Sequence, residues 1–455
     1  MKKISARRIF LLVLTAILAL GALVFFGEYF ICADRWVAFS GSPHLYTGAN
    51  LNCGVVTDSS GEALLDTRQG RTYSEDAETR KAFLHLLGDR DGYISAPMLG
   101  AYAERMIGYN KFTGLYGAQT GGAVTELTVS AAAQRAAMRA LDGYRGTIGV
   151  YNYITGEILC AVSSPSYDPD NVPDVAGDET GAYEGVYVNR FFDVTYTPGS
   201  IFKLVTSVAA IDTISDIYQQ TFTCTGRQII GGQEVICSGV HGEINFSEGL
   251  AHSCNIVFGS IAEQLGAKTL ERYARRLGLG ESFDCAGYHT KAGCVDLSNA
   301  DDGDTAWAGI GQYSIAVNPY AYMRFMGILG GGGEAAEPYL VQSITEGDKT
   351  LYSAQRTSTG QLASSTAAEK MATMMHYNVV TIYGTQQFPP YYVCAKSGTA
   401  EQAGKPAHAT FAGFIKDDDY PLAFVVFVEN AGAGSAVAAP MAGKVLTACV
   451  DAMQK

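Results

Sequence analysis

The chain has 455 residues, 47% of them hydrophobic and 17% charged, so it can bury a large core and is not globally disordered. The net charge is −13, and four of the 32 basic residues (Lys2, Lys3, Arg7 and Arg8) precede the first apolar run, leaving 28 basic against 45 acidic beyond it. Phosphate binding needs a positive stripe, so this balance argues against a nucleic-acid partner, and 52 glycines without a three-residue period exclude collagen.

Ile9 to Phe26 carries no charge over 18 residues, and with the residues up to Phe30 it predicts a transmembrane helix over 9–30. Tyr29 and Trp36 suit the headgroup zone beyond it. A cleaved signal peptide has an apolar core of about 7–15 residues and a small-x-small site. Here the run is longer, and Phe25, Phe26, Tyr29 and Phe30 fill the processing zone. The expectation is an uncleaved single-pass anchor with residues 1–8 as a cytoplasmic tail and the rest, from about residue 33, outside the cell membrane.

Residues 33–125 read as a small N-terminal module. Cys53 to Thr57, a turn at Asp58-Ser59-Ser60-Gly61, and Glu62 to Leu65 predict a hairpin. A helix is expected near Ala77–Leu87, then a Gly/Tyr-rich loop over Gly108–Gly122. The pattern changes near residue 123. Val124–Val129 is extended, Ser130 can cap an Ala-rich helix through Leu141, and Gly146–Tyr153 and Glu157–Ser163 form two strands about a Thr155-Gly156 turn. A largely helical middle precedes strands at 391–398, 409–416 and 422–429, which predicts an α/β (α+β type) domain over 126–455 with a mixed antiparallel sheet flanked by helices. Gly330–Gly333 lacks a following Gly-Lys-Ser/Thr and reads as a loop.

There are ten cysteines. Cys224 and Cys237 bracket a stretch that turns at Gly231-Gly232, and Cys285 and Cys294 bracket another Gly-containing loop, so each pair is a disulfide candidate in an oxidising exterior. Cys160, Cys394 and Cys449 lie in apolar runs and read as small buried hydrophobes. Neither Cys-x-x-Cys nor His-Glu-x-x-His spacing occurs, which argues against a zinc site; no metal and no cofactor are expected.

Three short motifs carry chemistry. In Tyr196-Thr197-Pro198-Gly199-Ser200-Ile201-Phe202-Lys203, Pro198-Gly199 open a helix that places Ser200 in its first turn and the Lys203 amine on the same face. Apolar neighbours Ile201, Phe202, Leu204, Val205 and Val208 favour the neutral amine, which can take the serine proton without a histidine. Ser253-Cys254-Asn255 sets a hydroxyl and an amide two residues apart, suited to proton relay and substrate positioning. Tyr392 to Ala400 is an apolar strand ending in Lys396, Ser397, Gly398 and Thr399, a cation and two hydroxyls able to collect a carboxylate beside a glycine that leaves the strand edge open. Each motif alone also reads blandly: a chance Ser-x-x-Lys with a snorkelling lysine, a helix cap, a polar strand end.

Taken in order, with 50 residues from Lys203 to Ser253 and 141 from Asn255 to Lys396, the set resembles that of the class B penicillin-binding proteins, membrane-anchored peptidoglycan D,D-transpeptidases. The likeness spans roughly 120–455. It includes the hairpin about Thr155-Gly156, Ser163 to Pro169, Asn189-Arg190, Gly309-Ile310-Gly311-Gln312, Asn318-Pro319, and His408 to Phe414. Departures are Asn52-Cys53-Gly54 where the family has Arg-Gly, a reduced pedestal over 33–125, and Tyr313 in place of a small residue. The resemblance implies a penicillin-binding, serine β-lactamase-like fold. It also implies Ser200 as nucleophile, Lys203 as base, Ser253 and Asn255 as relay and positioning groups, and Lys396, Ser397, Gly398 and Thr399 as the carboxylate-binding strand. The implied ligands are D-Ala–D-Ala stem peptides and β-lactams, and the implied partner is a polytopic membrane glycosyltransferase. Rival readings are a D,D-carboxypeptidase, a β-lactamase, a β-lactam sensor or a non-catalytic wall-synthesis scaffold.

Overall fold

A computed structural model describes residues 2–39, 46–47, 50–51, 54–68, 70–114, 122–402 and 404–454. Cys53 of the expected hairpin, Asn52 of the Asn52-Cys53-Gly54 departure, and 115–121 of the Gly/Tyr-rich loop lie outside the described residues. The apolar N-terminal run forms one helix, Lys2–Val37, longer at both ends than the 9–30 span expected. Its segment Ile4–Ala33 is 30 residues long, with its most apolar 18-residue window unburied, and spans about 45 Å at the α-helical rise, so it can cross a bilayer core of about 30 Å. The far end is tied down: the Tyr29 hydroxyl donates to the Lys111 carbonyl (2.8 Å), Lys111 Nζ donates to the Phe30 carbonyl (2.9 Å), and Arg35 pairs with Glu104.

Two sheets organise the remainder. The first has five strands, all antiparallel to their neighbours, in the order Val393–Gln402, Lys405–Ile415, Leu422–Val428, Gly146–Asn152, Ile158–Ser164. Every residue of the last three strands is buried, as expected of a sheet covered on both faces. The covering helices are Pro319–Gly330, Ser365–Asn378, Ala131–Ala140 and Gly434–Met453. The last is also long and apolar enough to cross a membrane, but half of it is buried against the sheet. Side-chain caps set the helix starts. Ser130 accepts from the Ala133 N–H, Asp76 from Thr79 ahead of Ala77–Leu87, and Asn318 from Tyr320 and Ala321 with Pro319 in the first turn.

The second sheet has six strands in the order Lys349–Ser353, Val341–Glu346, Val124–Leu127, Val55–Thr57, Ala63–Asp66, Thr72–Tyr73. Only Val55–Thr57 and Val124–Leu127 run parallel. This sheet takes strands from both sides of residues 125 and 126, where the sequence pattern suggested a domain division. Long-range pairing with 341–353 was invisible to local periodicity, because each of those strands is short and half-exposed. Between the sheets' contributions, residues 221–245 form two small hairpin-like pairs, Thr221–Cys224 with Gly242–Asn245 and Arg227–Ile230 with Gln233–Ile236, the latter turning at Gly231-Gly232.

Candidate active site

Three distant segments converge at the open edge of the five-stranded sheet. Gly199 begins a 3-10 turn, Gly199–Phe202, that runs into the helix Lys203–Thr213. Its N–H donates to the Gly311 carbonyl (3.0 Å), its φ is +58°, and a Cβ there would stand 2.6 Å from the Thr399 carbonyl. Only glycine meets both conditions, so the nucleophile turn sits directly on the edge strand Val393–Gln402. From behind, the chain ahead of Ser200 is held by Asn318 Nδ2, which donates to the Phe192 and Val194 carbonyls. Glu429 accepts from Arg190 Nε (2.8 Å) and the Tyr196 hydroxyl (3.0 Å).

Lys203 is wholly buried, as are Ile201, Phe202, Leu204, Val205 and Val208 around it in sequence, and its amine faces the Phe258 ring at 5.8 Å. Its Nζ lies 2.9 Å from Ser200 Oγ, 2.6 Å from the Ser253 carbonyl, 2.7 Å from Asn255 Oδ1 and 3.2 Å from Ser253 Oγ. The Asn255 amide is oriented by its Nδ2, which donates to the Ile236 carbonyl (2.8 Å), so Oδ1 is the atom facing the amine. Burial pulls the Lys203 amine down to about 7, against an opposing pull from the Cys237 and Cys254 thiols. A neutral amine has two N–H groups and one lone pair. The Ser253 carbonyl and Asn255 Oδ1 can only accept, so they take the two hydrogens, and the lone pair is left for the Ser200 hydroxyl.

Ser253 has φ +53°, a left-handed conformation rare for a residue with a side chain, in the turn between the helices Phe246–Ala251 and Asn255–Leu265. Its Oγ also accepts from Lys396 Nζ at 3.0 Å, so one hydroxyl links two buried amines. The Lys396 amine is fully buried, donates to the Ser397 carbonyl (2.6 Å), and is pushed well below the usual lysine range by burial and then by Lys203.

Along the edge strand, alternate residues turn their N–H and C=O groups outward. The Ala395 carbonyl accepts from Asn378 Nδ2 (3.1 Å) and the Ser397 N–H donates to the Tyr383 hydroxyl (2.8 Å). By the same period the Thr399 N–H opens beside Ser200. Ser397 Oγ also accepts from Tyr383 (3.0 Å), while the Thr399 side chain is exposed. Gly398 differs from its expected role. A Cβ there would collide with Thr410 Oγ1 and stand 2.9 Å from the Pro198 carbonyl and 3.0 Å from the Ile201 nitrogen, so its bareness serves packing of the strand on the nucleophile turn.

Sequence reasoning thus named Ser200, Lys203, Ser253, Asn255 and Lys396, which the structure brings into one hydrogen-bonded group. It missed Tyr383 and Asn378, whose signal is absent from local pattern because both act across the sheet edge.

The disulfide expectation fails in the structure. Cys224, Cys237, Cys285 and Cys294 are free thiols. Cys285 is buried with its Sγ 3.9 Å from the Pro338 carbonyl, whereas Cys294 is exposed on a segment that pairs with Ala316. Cys224 and Cys237 do approach, as the hairpin suggested, but in company with His241 and Cys254.

Residues 146–447 match the family model described as the penicillin-binding protein transpeptidase domain. The chain is 27% identical over 394 residues to the peptidoglycan D,D-transpeptidase PbpA of Mycolicibacterium smegmatis, covering 78% of each. Its fold is similar to that of penicillin-binding protein A from M. tuberculosis, solved as a ceftriaxone acyl-enzyme, with a TM-score of 0.76 at 24% identity over 88% of this chain and 98% of that one. It is also similar to a chain of a peptidoglycan synthase complex that coordinates polymerisation and crosslinking, with a TM-score of 0.62 and 27% identity over 72% of this chain and 63% of that one. With its nucleophile turn, buried lysine and edge strand all inside the matched segment, the chain belongs to the penicillin-binding protein transpeptidase family, among its class B members.

Proposed function

We propose that this protein is a peptidoglycan D,D-transpeptidase that works through a Ser200 acyl-enzyme and is acylated by β-lactams at the same oxygen. The observation that carries this reading is the buried Lys203 amine, 2.9 Å from Ser200 Oγ, with its hydrogens committed to the Ser253 carbonyl and Asn255 Oδ1. Lys203 takes the Ser200 proton as Oγ attacks the carbonyl of the D-Ala–D-Ala bond. The N–H groups of Ser200 and Thr399 receive the oxyanion, each such donor contributing about 2.7–4 kcal/mol. As the C–N bond breaks, the proton passes from Lys203 through the Ser253 hydroxyl to the departing D-Ala amine, while Asn255 keeps Lys203 aimed and holds the donor peptide. An amine of a second stem peptide then attacks the ester, Lys203 receives its proton, and Ser200 is regenerated with a cross-link formed.

The donor's terminal carboxylate is held by the Ser397 and Thr399 hydroxyls. Lys396 supports them from behind Ser253, where it is buried, and Gly398 keeps the strand close enough for Thr399 to face Ser200. The residues ahead of the apolar helix, Lys2, Lys3, Arg7 and Arg8, support a cytoplasmic N-terminus with the catalytic part outside. We read 33–125 as a reduced pedestal to a transpeptidase part over 126–455, and a polytopic glycosyltransferase as the membrane partner, in keeping with the similar synthase complex. Ser200→Ala is expected to abolish covalent labelling by a fluorescent penicillin while the melting temperature stays unchanged; labelling that persists overturns the assignment. Product analysis with an acceptor amine separates cross-linking from the hydrolysis a carboxypeptidase or β-lactamase would give.

A further inference from the structure

Four ligand-type side chains that the reaction does not use meet one residue away from it. Cys224 ends the strand Thr221–Cys224, Cys237 leaves the Gly231-Gly232 hairpin, His241 lies in the loop that follows, and Cys254 is the middle residue of the Ser253–Asn255 turn. Their three Sγ atoms and an imidazole nitrogen all lie within 4.8 Å of one another. Cys237 Sγ stands 3.8 Å from Cys254 Sγ and 3.6 Å from His241 Nδ1. Zinc bonds of about 2.3 Å to sulfur and 2.0–2.1 Å to nitrogen give a tetrahedron with S···S edges of about 3.8 Å and S···N edges of about 3.6 Å. The two separations from Cys237 match those edges, and the other ligand atoms lie within 4.8 Å of one another, close enough to draw in around one ion.

The surroundings fit a bound cation. Cys224, Cys237 and Cys254 are buried, and the Asn255 N–H donates to Cys237 Sγ (3.3 Å), a contact that favours thiolate. His252 stacks on His241 at 5.3 Å, which fixes the plane of the imidazole. One disulfide among the three sulfurs would use two of them and leave the third with the imidazole, whereas one metal ion uses all four groups. Three thiolates and an imidazole in a tetrahedron, with no position left open, select zinc in a structural role.

We propose that Cys224, Cys237, His241 and Cys254 form a structural Zn²⁺ site that clamps the 221–245 hairpins to the turn carrying Ser253 and Asn255. Binding exchanges the three thiol protons for four metal bonds, so three protons are released for each ion taken up. The ligand spacing, Cys-x12-Cys-x3-His-x12-Cys, departs from the short paired spacings of common zinc motifs, because a folded hairpin rather than a knuckle brings the ligands together. The metal assignment stands without the reaction. Its consequence, that the ion holds Ser253 in its left-handed conformation against Lys203, rests on the transpeptidase reading.

The test uses the full chain in detergent, reduced and free of chelator. Elemental analysis is expected to find one zinc per chain, falling at least fivefold in Cys224→Ser and Cys254→Ser. Should those variants not fold, Co²⁺ exchanged into the wild-type chain is expected to give intense sulfur-to-cobalt charge transfer and the visible bands of tetrahedral cobalt. A chain with all three thiols titratable that takes up neither ion overturns the site, as does a Cys224–Cys237 disulfide in alkylation-trapped protein. Stripping zinc is expected to lower the melting temperature and slow penicillin acylation of Ser200 about tenfold. Loss of zinc with an unchanged acylation rate overturns the clamp on Ser253 while leaving the metal site standing, and absence of acylation in the zinc-loaded chain fails the transpeptidase reading instead.

Discussion

The pH dependence of Ser200 acylation follows from the state of one amine. Lys203 falls from its ordinary 10.5 to about 7 because it is buried, a penalty on the charged form of roughly 5 kcal/mol relative to an exposed lysine, at 1.36 kcal/mol per unit. The neutral fraction is then about one tenth at pH 6 and about nine tenths at pH 8. The sign is that of a base: acylation slows as pH falls through 7, by about tenfold between pH 8 and pH 6, and levels off above 8. An unperturbed lysine would instead give a rate that climbs tenfold per unit to beyond pH 9 with no plateau. The assay is the second-order rate of fluorescent-penicillin acylation measured from pH 5.5 to 9.5, checked at each pH for an intact fold. A climb without a plateau, or a flat profile, refutes Lys203 as the neutral base. The same shift makes the native chain bind fewer protons than the unfolded one between about 7 and 10.5, so this group's contribution to stability rises with pH across that window.

Gly398→Ala is expected to destabilise the fold by about 1–3 kcal/mol and to cut acylation sharply, since the added carbon meets Thr410, Pro198 and Ile201 and pries the edge strand from the nucleophile turn; a melt and a labelling time course read both. Arg190→Ala removes the closest cation from the Glu429 carboxylate, leaving it the Tyr196 hydroxyl and a longer 3.8 Å pairing with Arg145, and should cost about 1.5–3 kcal/mol by chemical denaturation. Tyr383→Phe removes a hydroxyl that both accepts from the Ser397 N–H and donates to Ser397 Oγ; about 1–2 kcal/mol of stability should go with it, together with a change in β-lactam affinity at the freed strand edge.

Local pattern carried much of this molecule. The apolar, turn-bounded runs at 146–164 and 391–429 became adjacent strands of the five-stranded sheet because their composition and turn residues agree with their final pairing. Ser130 and Ala77–Leu87 were readable from capping and composition for the same reason. The chemistry of Ser200 and Lys203 was visible because both lie within one helical turn. What escaped was built from distance. The Cys224, Cys237, His241 and Cys254 group joins residues spread over thirty positions, and pairwise spacing rules pointed to a disulfide that the structure does not make. Gly398 looked like a gap for ligand, yet the atoms that forbid a side chain belong to residues near 200 and 410. Tyr383 meets the strand edge from an irregular helical end that no periodicity announces.

The six-stranded sheet bears on how the protein can be cut. Strand Val55–Thr57 lies between Val124–Leu127 and Ala63–Asp66, so a fragment beginning after residue 125 would lose half the sheet and much of Val124–Leu127 with it. The bare backbone of Val341–Glu346 would then face water as a ready template for strands of other molecules. Removing the membrane helix alone spares that seam, which makes truncation near residue 38 the soluble form that keeps its own partners.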